Sequence, residues 1–366
     1  MSKSHLILWN NCSTLLLFTI ISLVASSGNR VKRQVIYNTT TNVCTSPDSR
    51  SGTCINIKNC PELLDLLLYQ RSNVTAIRFI LASTCYYQGR TPVVCCPGEF
   101  DEINLVNDLS VCGLSSFNRE RVVGGRAAVA GSWPWAAALG YTNNGVLEWL
   151  CGGTLVSDRY IVTAAHCIVN ERGRALTKIR IGDVDMNTEK QDGAFPVDAE
   201  IDEIIPHENY NASNRVADIG LVRIRGRISQ FTDFIRPICL PLAPNLRWNT
   251  FEGYTPFVVG WGDTAYMGQS SSILQEVQMD VINVTTCARV FSKFERTTID
   301  HRVICAEAFG KDACRGDSGC PMMLPNGENF YLIGVVSYGY KCAEPGYPGV
   351  YTRVTEYIEW LARNMI

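Results

Sequence analysis

The stretch LEWLCGGTLVSDRYIVTAAHC, residues 147–167, decides the fold of the larger part of this chain. It is rich in apolar, β-branched and aromatic residues, and it ends on a histidine and a cysteine. Further β-rich runs, FVVGWG (257–262) and YLIGVVSYG (331–339), follow between clusters of Gly, Pro, Asn and Asp. Helical spacing is convincing only in YIEWLARNMI (357–366). We therefore expect a mostly β domain, built from antiparallel strands, with a C-terminal helix.

The length and composition of the chain limit its class. With 366 residues, of which 46% are hydrophobic, it can form one sizeable core and a smaller second unit. A formal net charge of −2 without a Lys/Arg block argues against a nucleic-acid partner. Residues 1–27 are predicted to be a secretory signal peptide, because the apolar run at 15–24 is too short to span a membrane and small residues follow it. A signal anchor is the alternative, but we expect a secreted, extracellular protein.

The high number of cysteines indicates a protein of an oxidising compartment, where disulfides persist. The chain has 16 of them, and Cys12 would leave with the signal peptide, so an odd number remains and one thiol lacks a partner within the chain. A segment of about fifty residues can bury little core, so crosslinks must stabilise a small unit over residues 43–97. Zinc is the alternative, but this segment has no histidine and no CxxC pair. The six cysteines of this unit are Cys44, Cys54, Cys60, Cys85, Cys95 and Cys96.

Further sequence features predict a helix in the small unit, a linker after it and several modification sites. PELLDLLLYQ (61–70) has leucines at helical spacing, which indicates a helix that packs against the core. A polar, acidic segment starts a linker over residues 98–121, and the larger domain follows over 122–366. Four Asn-X-Ser/Thr motifs are compatible with glycosylation, at Asn38, Asn73, Asn211 and Asn283.

Three residues of the larger domain suit nucleophilic catalysis. A serine hydroxyl needs a general base within hydrogen-bond reach and a carboxylate that orients this base. VTAAHC puts His166 at the end of an apolar strand, ADIGLVRI puts Asp218 at the head of another, and GDSG contains Ser318. Taken singly, the histidine fits a core residue and the aspartate a strand cap or surface acid. The combination, in this order and with these flanks, predicts an acyl-transfer site.

Four motifs, VVGG, AAHC, DIGL and GDSG, stand in this order, so residues 122–366 resemble a chymotrypsin-family serine protease of the trypsin type. The resemblance implies two six-stranded antiparallel β-barrels with the active site in the cleft between them. It implies that His166 is the base and acid, that Asp218 orients it, and that Ser318 attacks. It also places the oxyanion hole at the backbone N–H groups of Gly316 and Ser318.

The same resemblance identifies a primary specificity pocket. Asp312 lies six residues before Ser318, at the position of the pocket floor. A buried carboxylate requires a cationic partner, so we expect cleavage after Arg or Lys. Ala313 supplies no hydroxyl for an ammonium group, which favours Arg over Lys. The expected pocket walls are Ser337, Gly339 and Gly349.

The stretch RERVVGG (119–125) predicts how the protease is controlled. The resemblance implies cleavage after Arg121, after which the new amino group of Val122 enters the protein and pairs with Asp317. Before this cut the oxyanion hole is expected to be unformed, so the chain would be a zymogen. The alternative is that Arg121 is an ordinary linker residue.

The six cysteines of the small unit, which end in an adjacent pair, resemble a clip domain of arthropod serine proteases. Cys320 is left over, at a position where the family usually has glycine. We expect it to be a buried, inert thiol, and the alternatives are a redox-sensitive or intermolecular thiol and an impaired enzyme. A left-handed backbone at this residue would be costly, and an extended one would raise only steric questions. The pairs implied by the resemblance are Cys44–Cys95, Cys54–Cys85, Cys60–Cys96, Cys112–Cys239, Cys151–Cys167, Cys287–Cys305 and Cys314–Cys342.

The expected function is that of a secreted clip-domain serine protease zymogen in an arthropod haemolymph cascade, in innate immunity, melanisation or Toll-ligand processing. Its expected partners are a protein substrate, an upstream activating protease and a serpin inhibitor, with no nucleic acid and no membrane. The alternative is a catalytically silent homologue that acts as a binding cofactor or adaptor. No cofactor is expected, although Asp183 and Asp185 in the acidic loop 182–193 are candidate calcium ligands. A solvated acidic loop is the other interpretation of these two residues.

Overall fold

The computed structural model describes residues 43–48, 50–69, 73–97, 105, 107–116, 125–169, 175–187, 193–247, 249–263, 268–294, 296–308, 316–340 and 344–365. The chain divides into two compact units, residues 1–99 and 100–366. The predicted signal peptide and Asn38 lie outside the described residues. Among the described helices, none combines the length and the apolar character that a membrane crossing requires.

The smaller unit is a four-stranded antiparallel sheet with two helices. Its strands are β1 (Val43–Thr45), β2 (Ser51–Asn56), β3 (Thr84–Gln88) and β4 (Thr91–Pro97), hydrogen-bonded in the order β1-β2-β4-β3. Its helices are α1 (Pro61–Tyr69) and α2 (Val74–Ala82). The helix predicted from the leucine spacing is therefore confirmed, and Leu63 and Leu66 are buried. The sheet was not predicted, because its short strands contain polar, glycine and cysteine residues that mask the β pattern.

Three disulfides crosslink the smaller unit with the expected pairing. They join Cys44 to Cys95, Cys54 to Cys85, and Cys60 to Cys96. Two of these bonds attach the adjacent cysteines of β4 to different parts of the unit, β1 and the segment between β2 and α1. The crosslinks therefore hold β4, one of the two inner strands of the sheet, from both faces, since neighbouring residues of a strand point to opposite sides.

The first half of the larger unit is a closed barrel. After the two-residue strand β5 (Arg126–Ala127), six strands pair in the order β10-β11-β8-β7-β6-β9. The helix α3 (Ala165–Ile168) follows β8 directly. Fully buried side chains such as Leu139, Ile161 and Ile179 fill the barrel, as the apolar runs of the sequence require. The six strands are β6 (Ala136–Asn143), β7 (Val146–Leu155), β8 (Tyr160–Thr163), β9 (Ala175–Ile181), β10 (Val197–Pro206) and β11 (Gly220–Ile224).

The second half is an antiparallel sheet of eight strands rather than six, in the order β14-β15-β18-β17-β16-β12-β13-β5. The strand β5 joins its edge because Arg126 pairs with Glu276 of β13, both along the backbone and through a 2.6 Å side-chain ion pair. The mostly β fold class with a C-terminal helix is confirmed. The elements are β12 (Phe257–Gly260), β13 (Gln275–Gln278), β14 (Asp280–Ile282), β15 (Val303–Glu307), β16 (Pro321–Asn326), β17 (Asn329–Tyr338), β18 (Gly349–Arg353), and the helices α4 (Pro244–Arg247), α5 (Val284–Phe291) and α6 (Ile358–Asn364).

An aromatic cluster joins the two halves of the larger unit. Trp133 and Trp135 precede β6, and their rings lie 5.3 and 5.7 Å from the ring of Phe330 in β17. Phe257 of β12 completes the cluster, 5.4 Å from Trp133. The rings are edge-to-face in the Trp133–Phe330 pair and tilted in the other two, and aromatic pairs of these kinds bury large areas and favour defined angles. The cluster therefore fixes how the barrel and the sheet face each other, and with it the loops that extend from both.

The second part of the predicted linker packs on the larger unit. Cys112 forms the expected disulfide with Cys239. Nearby, the Asn107 side chain exchanges two hydrogen bonds with the backbone of Leu240, and Gly113 exchanges two with the backbone of Phe330 and Pro237. A segment that looks like a polar linker in the sequence is thus held by a covalent bond and by backbone hydrogen bonds.

Candidate active site

The predicted base, His166, lies where the barrel wall turns into a short helix. β8 ends at Thr163, and His166 is the second residue of α3. The next residue, Cys167, is held by a disulfide to Cys151 of β7, and its carbonyl accepts a 2.7 Å hydrogen bond from the buried hydroxyl of Tyr141. The imidazole keeps 14% of its surface exposed. The ring is therefore anchored from behind and remains open to a ligand.

Asp218 orients this histidine. Its carboxylate is fully buried at the head of β11, with Oδ2 2.8 Å from His166 Nδ1, and its Oδ1 accepts a 2.9 Å hydrogen bond from the His166 backbone amide. Ser337 of β17 donates a further hydrogen bond to Oδ2, and Thr352 of β18 donates one of 2.7 Å to the Asp218 carbonyl. Both carboxylate oxygens thus have donors, as a buried charge requires.

The pKa of Asp218 reflects two opposed effects. Burial of the carboxyl acts to raise its pKa, because the charged form loses its hydration. The facing imidazole of His166 and the hydrogen bonds from His166 and Ser337 act in the other direction and hold the pKa below its ordinary value. Asp218 is therefore ionised at neutral pH and presents a fixed negative charge to the Nδ1 side of the ring.

Ser318 lies on a turn that is fastened to the barrel. Its carbonyl accepts a 2.8 Å hydrogen bond from Gly152 of β7 and lies 3.5 Å from the sulphur of Cys167, the residue after the histidine. The flanking Gly319 has a φ of +82°, and a Cβ at this position would meet Thr163 Oγ1 at 2.2 Å. Both the positive φ and the lack of space for a Cβ require a glycine at position 319. These contacts place the turn that carries Ser318 against the barrel wall from which the helix of His166 begins.

Two backbone amides at this turn point to an oxyanion site. The amides of Gly319 and Cys320 donate to the carbonyls of Val336 and Asp317. By contrast, across the described part of the chain the amides of Gly316 and Ser318 have no hydrogen-bond acceptor. Gly316 has a φ of +97°, a conformation that side chains disfavour. Two unused donors, one on each side of Asp317, are what an anionic oxygen needs.

Of the predicted activation residues, only Asp317 lies among the described residues. Its Oδ1 accepts a 2.8 Å hydrogen bond from the backbone amide of Gly262. Gly262 must be a glycine, because a Cβ there would lie 2.5 Å from the carboxyl carbon of Asp317. Arg121 and Val122 lie outside the described residues.

The specificity pocket is described in part. Asp312 and Ala313 lie outside the described residues. Gly339 follows β17 and Gly349 begins β18, and these two strands pair next to them through Tyr338 and Val350, so the two expected wall glycines are close neighbours. Ser337 has a further contact that the sequence did not suggest, since its hydroxyl binds the Asp218 carboxylate.

Cys320 is a free and buried thiol, as expected. Its φ is not positive, so its Cβ causes no left-handed strain. Room for the sulphur comes from two glycines: a Cβ on Gly152 would lie 2.1 Å from Cys320 Sγ, and a Cβ on Gly260 would lie 3.1 Å from it. Burial, and next the charge of Asp317, raise the thiol pKa well above its ordinary value, so the reactive thiolate is disfavoured.

The two candidate calcium ligands are buried and already have protein partners. Asp183 accepts hydrogen bonds from Arg180 at 3.3 Å and from the amide of Val184 at 2.8 Å. Asp185 accepts one of 3.1 Å from the amide of Asn187. Residues 188–192 of the same loop lie outside the described residues. Calcium binding therefore stays a prediction without support from these contacts.

The remaining predicted sites are modification sites and disulfides. Asn73 and Asn283 are the N-caps of α2 and α5, where their side chains accept hydrogen bonds from Thr75 and Thr285. Asn211 is exposed and accepts a hydrogen bond from the amide of Ser213. Glycosylation of these residues stays a prediction. Cys287 and Cys305 form the expected disulfide, whereas the pair Cys314–Cys342 lies outside the described residues.

Comparisons with known proteins agree with this geometry. Residues 122–361 match the family described as Trypsin, and residues 44–96 match the regulatory CLIP domain of proteinases. The chain is 42% identical over 360 residues to the venom serine protease Bi-VSP of Bombus ignitus, which covers 94% of this chain and 96% of that protein. It is 35% identical to the proclotting enzyme of Tachypleus tridentatus, over 98% of this chain and 99% of the relative.

A solved structure has the same arrangement of elements. The crystal structure of the Drosophila Grass clip serine protease of the Toll pathway superposes with a TM-score of 0.64 at 29% identity. The superposition covers 88% of this chain and 97% of that one. Because this share exceeds the length of the larger unit, the match also includes part of the smaller one.

Proposed function

Because the chain belongs to the trypsin family of serine proteases and carries a regulatory CLIP domain, we propose that it is a secreted zymogen of an extracellular proteolytic cascade. It is a serine endopeptidase, and its substrates are proteins. Relatives that cover most of its length are named as a proclotting enzyme, a phenoloxidase-activating factor of Holotrichia diomphalia and melanization protease 1 of Drosophila melanogaster. We place this chain in a cascade of the same kind.

One observation supports the catalytic assignment most strongly: the buried Asp218 carboxylate, which binds both His166 Nδ1 and the His166 backbone amide. This pairing fixes the proton on Nδ1 and leaves Nε2 free to accept one. Ser318 Oγ attacks the peptide carbonyl carbon and gives its proton to Nε2. The imidazolium then returns this proton to the leaving amine as the carbon–nitrogen bond breaks. Water, activated by the same nitrogen, hydrolyses the acyl-serine.

The oxyanion of each tetrahedral intermediate is held by the amides of Gly316 and Ser318. These two donors have no acceptor within the described residues, so they are available to the developing charge once the cut has fixed the position of Asp317. Donors of this type contribute roughly 3–4 kcal/mol each to the stabilisation of the transition state.

Activation is a cut after Arg121. The new amino group of Val122 pairs with Asp317, whose backbone carbonyl accepts a hydrogen bond from the amide of Cys320. Because Asp317 lies between the two oxyanion donors, its position controls both of them. The disulfide between Cys112 and Cys239 keeps the N-terminal unit attached to the protease after the cut.

Specificity for Arg or Lys is assigned to the carboxylate of Asp312, and Ser337, Gly339 and Gly349 are assigned to the pocket walls. A cationic substrate side chain neutralises the carboxylate, and the absence of side chains on the two glycines leaves space for its long stem. The protein is secreted, an upstream protease activates it and a serpin inhibits it. It needs no cofactor for the chemistry, since all groups that the mechanism uses belong to the chain.

The alternative of a silent adaptor is less well supported. It needs a defect in the site, yet His166, Asp218 and Ser318 are all retained and Cys320 fits between two glycines without backbone strain. A fluorophosphonate probe distinguishes an active protease from a silent adaptor. Full-length protein that an added arginine-specific protease has cut after Arg121 should take up the probe, and Ser318→Ala should abolish uptake.

Two controls complete this test. Uncut precursor and an Arg121→Gln variant, exposed to the same protease, should stay unlabelled because the oxyanion site is not organised. Cut protein that takes up no probe would contradict the proposed function and favour the adaptor. Labelling of the Arg121→Gln variant to the same extent would instead contradict the zymogen assignment.

A further inference from the structure

We propose that the ion pair between Arg126 and Glu276 is a clamp that anchors the new amino terminus of the cut chain, so that Val122 reaches Asp317 efficiently. The proposal rests on the proposed function, since it concerns the amino group that a cut after Arg121 releases. Arg126 and Glu276 act through the segment between them and Asp317, and both are therefore positioning residues.

The carboxylate of Glu276 in β13 is buried and has a donor on each oxygen. Only 2% of its side chain is exposed. Arg126 Nε donates a 2.6 Å hydrogen bond to Oε1, and Trp133 Nε1 donates one of 2.6 Å to Oε2. Trp133 belongs to the aromatic cluster that joins the barrel to the second sheet. The carboxylate therefore attaches Arg126 to the shared core of the larger unit.

This ion pair also sets the register of β5. Arg126 lies opposite Glu276 in the backbone pairing, and the amide of Ala128 donates a 2.8 Å hydrogen bond to the carbonyl of Leu274. A strand of two residues gains little from backbone pairing alone. A slip by one residue would turn Arg126 to the other face and leave a buried carboxylate without its cation, which is costly. The side chains therefore fix where β5 begins.

Asp317 lies two strands away from β5. Both β5 and β12 pair with β13, and in the second pairing Gly260 lies opposite Gln275. The Asp317 carboxylate packs at the end of β12, because a Cβ on Gly260 would lie 2.1 Å from Oδ1, which also accepts the hydrogen bond from Gly262. Neighbouring strands are about 4.8 Å apart, so roughly 10 Å separate β5 from this carboxylate across the sheet.

A short tether must cover this distance. Residues 122–125 connect Arg126 to the new amino group, and four fully extended residues span at most about 14 Å. Gly125 has a φ of +71°, so the chain leaves β5 through a left-handed turn that uses part of this length. A tether with so little slack keeps the amino group close to Asp317, which raises its effective concentration there.

The clamp lowers the entropic cost of insertion. While it holds, insertion of Val122 orders residues 122–125 only. Without it, β5 can leave the sheet whenever Val122 is withdrawn, and its residues must be ordered again at each insertion. We therefore expect the ratio of inserted to withdrawn Val122 to fall about tenfold when the ion pair is lost, as is typical for a hydrogen bond between charged groups.

Carbamylation by cyanate measures this ratio without any catalytic step. Cyanate reacts with the amino group of Val122 only while this group is withdrawn from Asp317. In full-length Ser318→Ala protein that has been cut after Arg121, mass spectrometry of the peptide that begins at Val122 gives the rate. Adding Arg126→Gln should make the reaction about tenfold faster. Arg126→Lys keeps the cation and should restore most of the protection.

Two further variants separate the clamp from a general loss of stability. Arg180→Gln breaks another ion pair between neighbouring strands, with Asp198 at 2.7 Å, and should leave the carbamylation rate unchanged. Glu276→Gln removes the charge and keeps the shape, so it should accelerate the reaction like Arg126→Gln. The double variant of Arg126 and Glu276 should react no faster than either single one, because both remove the same interaction.

The active enzyme gives a second measurement, the pH at which activity is lost on the alkaline side. Val122 pairs with Asp317 only while its amino group is protonated, and the ordinary pKa of an α-amino group is about 7.7–8.0. Insertion raises this pKa, so activity persists to a higher pH and is lost above the raised value. A tenfold lower insertion ratio in Arg126→Gln should move this loss of fluorophosphonate labelling down by about one pH unit.

The outcomes distinguish the clamp from the proposed function. If Val122 is protected equally in the wild-type and Arg126→Gln chains, relative to the free peptide Val-Val-Gly-Gly-Arg-Ala, the clamp is refuted and the activation mechanism stands. Equal acceleration in Arg126→Gln and Arg180→Gln would also refute it. If Val122 of the cut wild-type chain reacts as fast as the peptide, the proposed activation itself has failed, and the clamp with it.

Discussion

Residues 43–97 and residues 125–365 differ in what holds them together. In the smaller unit, one buried cluster consists of Cys44, Cys54, Val93 and Cys95, so three of its four residues are disulfide-bonded cysteines. In the larger unit, one continuous cluster of aliphatic and aromatic side chains extends from the barrel into the second sheet. The first therefore depends on crosslinks and the second on buried area. This difference determines how the stability of each unit responds to substitutions and to pH.

The largest effect is expected from removing a crosslink in the smaller unit. Replacing both Cys60 and Cys96 by alanine removes about 2–5 kcal/mol, which a unit with so little apolar core cannot lose and stay folded. In the full-length chain, hydrogen exchange followed by mass spectrometry should show lost protection over residues 43–97 and unchanged protection in the larger unit. The matched change, Cys287→Ala with Cys305→Ala, should lower the melting temperature of the larger unit and leave it folded. Retained protection in the smaller unit would show that its packing alone suffices.

A smaller effect is expected from filling the space that Cys320 uses. Gly152→Ala places a Cβ against the thiol and should destabilise the larger unit by about 1–3 kcal/mol, and Cys320→Gly in the same chain should restore most of this loss. Denaturant titration of the two single variants and the double variant measures the coupling. In the smaller unit, Gly52→Ala meets the carbonyl oxygen of Cys96 at 2.3 Å, and no side-chain replacement can relieve a clash with the main chain. Independent effects of Gly152→Ala and Cys320→Gly would contradict the packing that we describe.

The smallest expected effect is a difference between the two units in how their stability depends on pH. His207 packs against the rings of Tyr357 and Trp360, at 5.1 and 5.0 Å, and burial, reinforced by Arg363, lowers its pKa although Glu208 opposes this. Because the folded value lies below the unfolded one, the unfolded chain binds the proton more readily, and the stability of the larger unit falls as pH drops below about 6.5.

Hydrogen exchange at pH 7 and pH 5 measures this difference in the intact chain. The larger unit should lose protection at the lower pH, and His207→Gln should reduce this loss. Residues 43–97 contain no histidine, so the smaller unit should respond less over the same interval. An equal response of the two units, or a pH dependence that His207→Gln leaves unchanged, would assign the effect to other groups.

Much of the site could be predicted because its residue types recur in short motifs of fixed order. His166, Asp218 and Ser318 were found in this way, and the structure brings the first two together at 2.8 Å. The pairing of the cysteines followed from resemblance and not from spacing, since spacing alone leaves many connectivities open. The linker was predicted less well, because residues 107–116 are polar and their hydrogen bonds to the larger unit involve mainly the backbone, which leaves no pattern in the sequence.

The sequence by itself determined the class of the fold, the three reacting groups and the presence of an unpaired cysteine, because each of these depends on residue type and order. Only the tertiary structure decided which groups support them. Ser337 and Thr352 reach Asp218 from positions 119 and 134 residues away, and Gly152 of the barrel makes room for Cys320, directly before β16. Contacts of this kind depend on the register of paired strands and on the angle between the barrel and the sheet. Both are set when the whole core packs, and no local stretch of sequence encodes them.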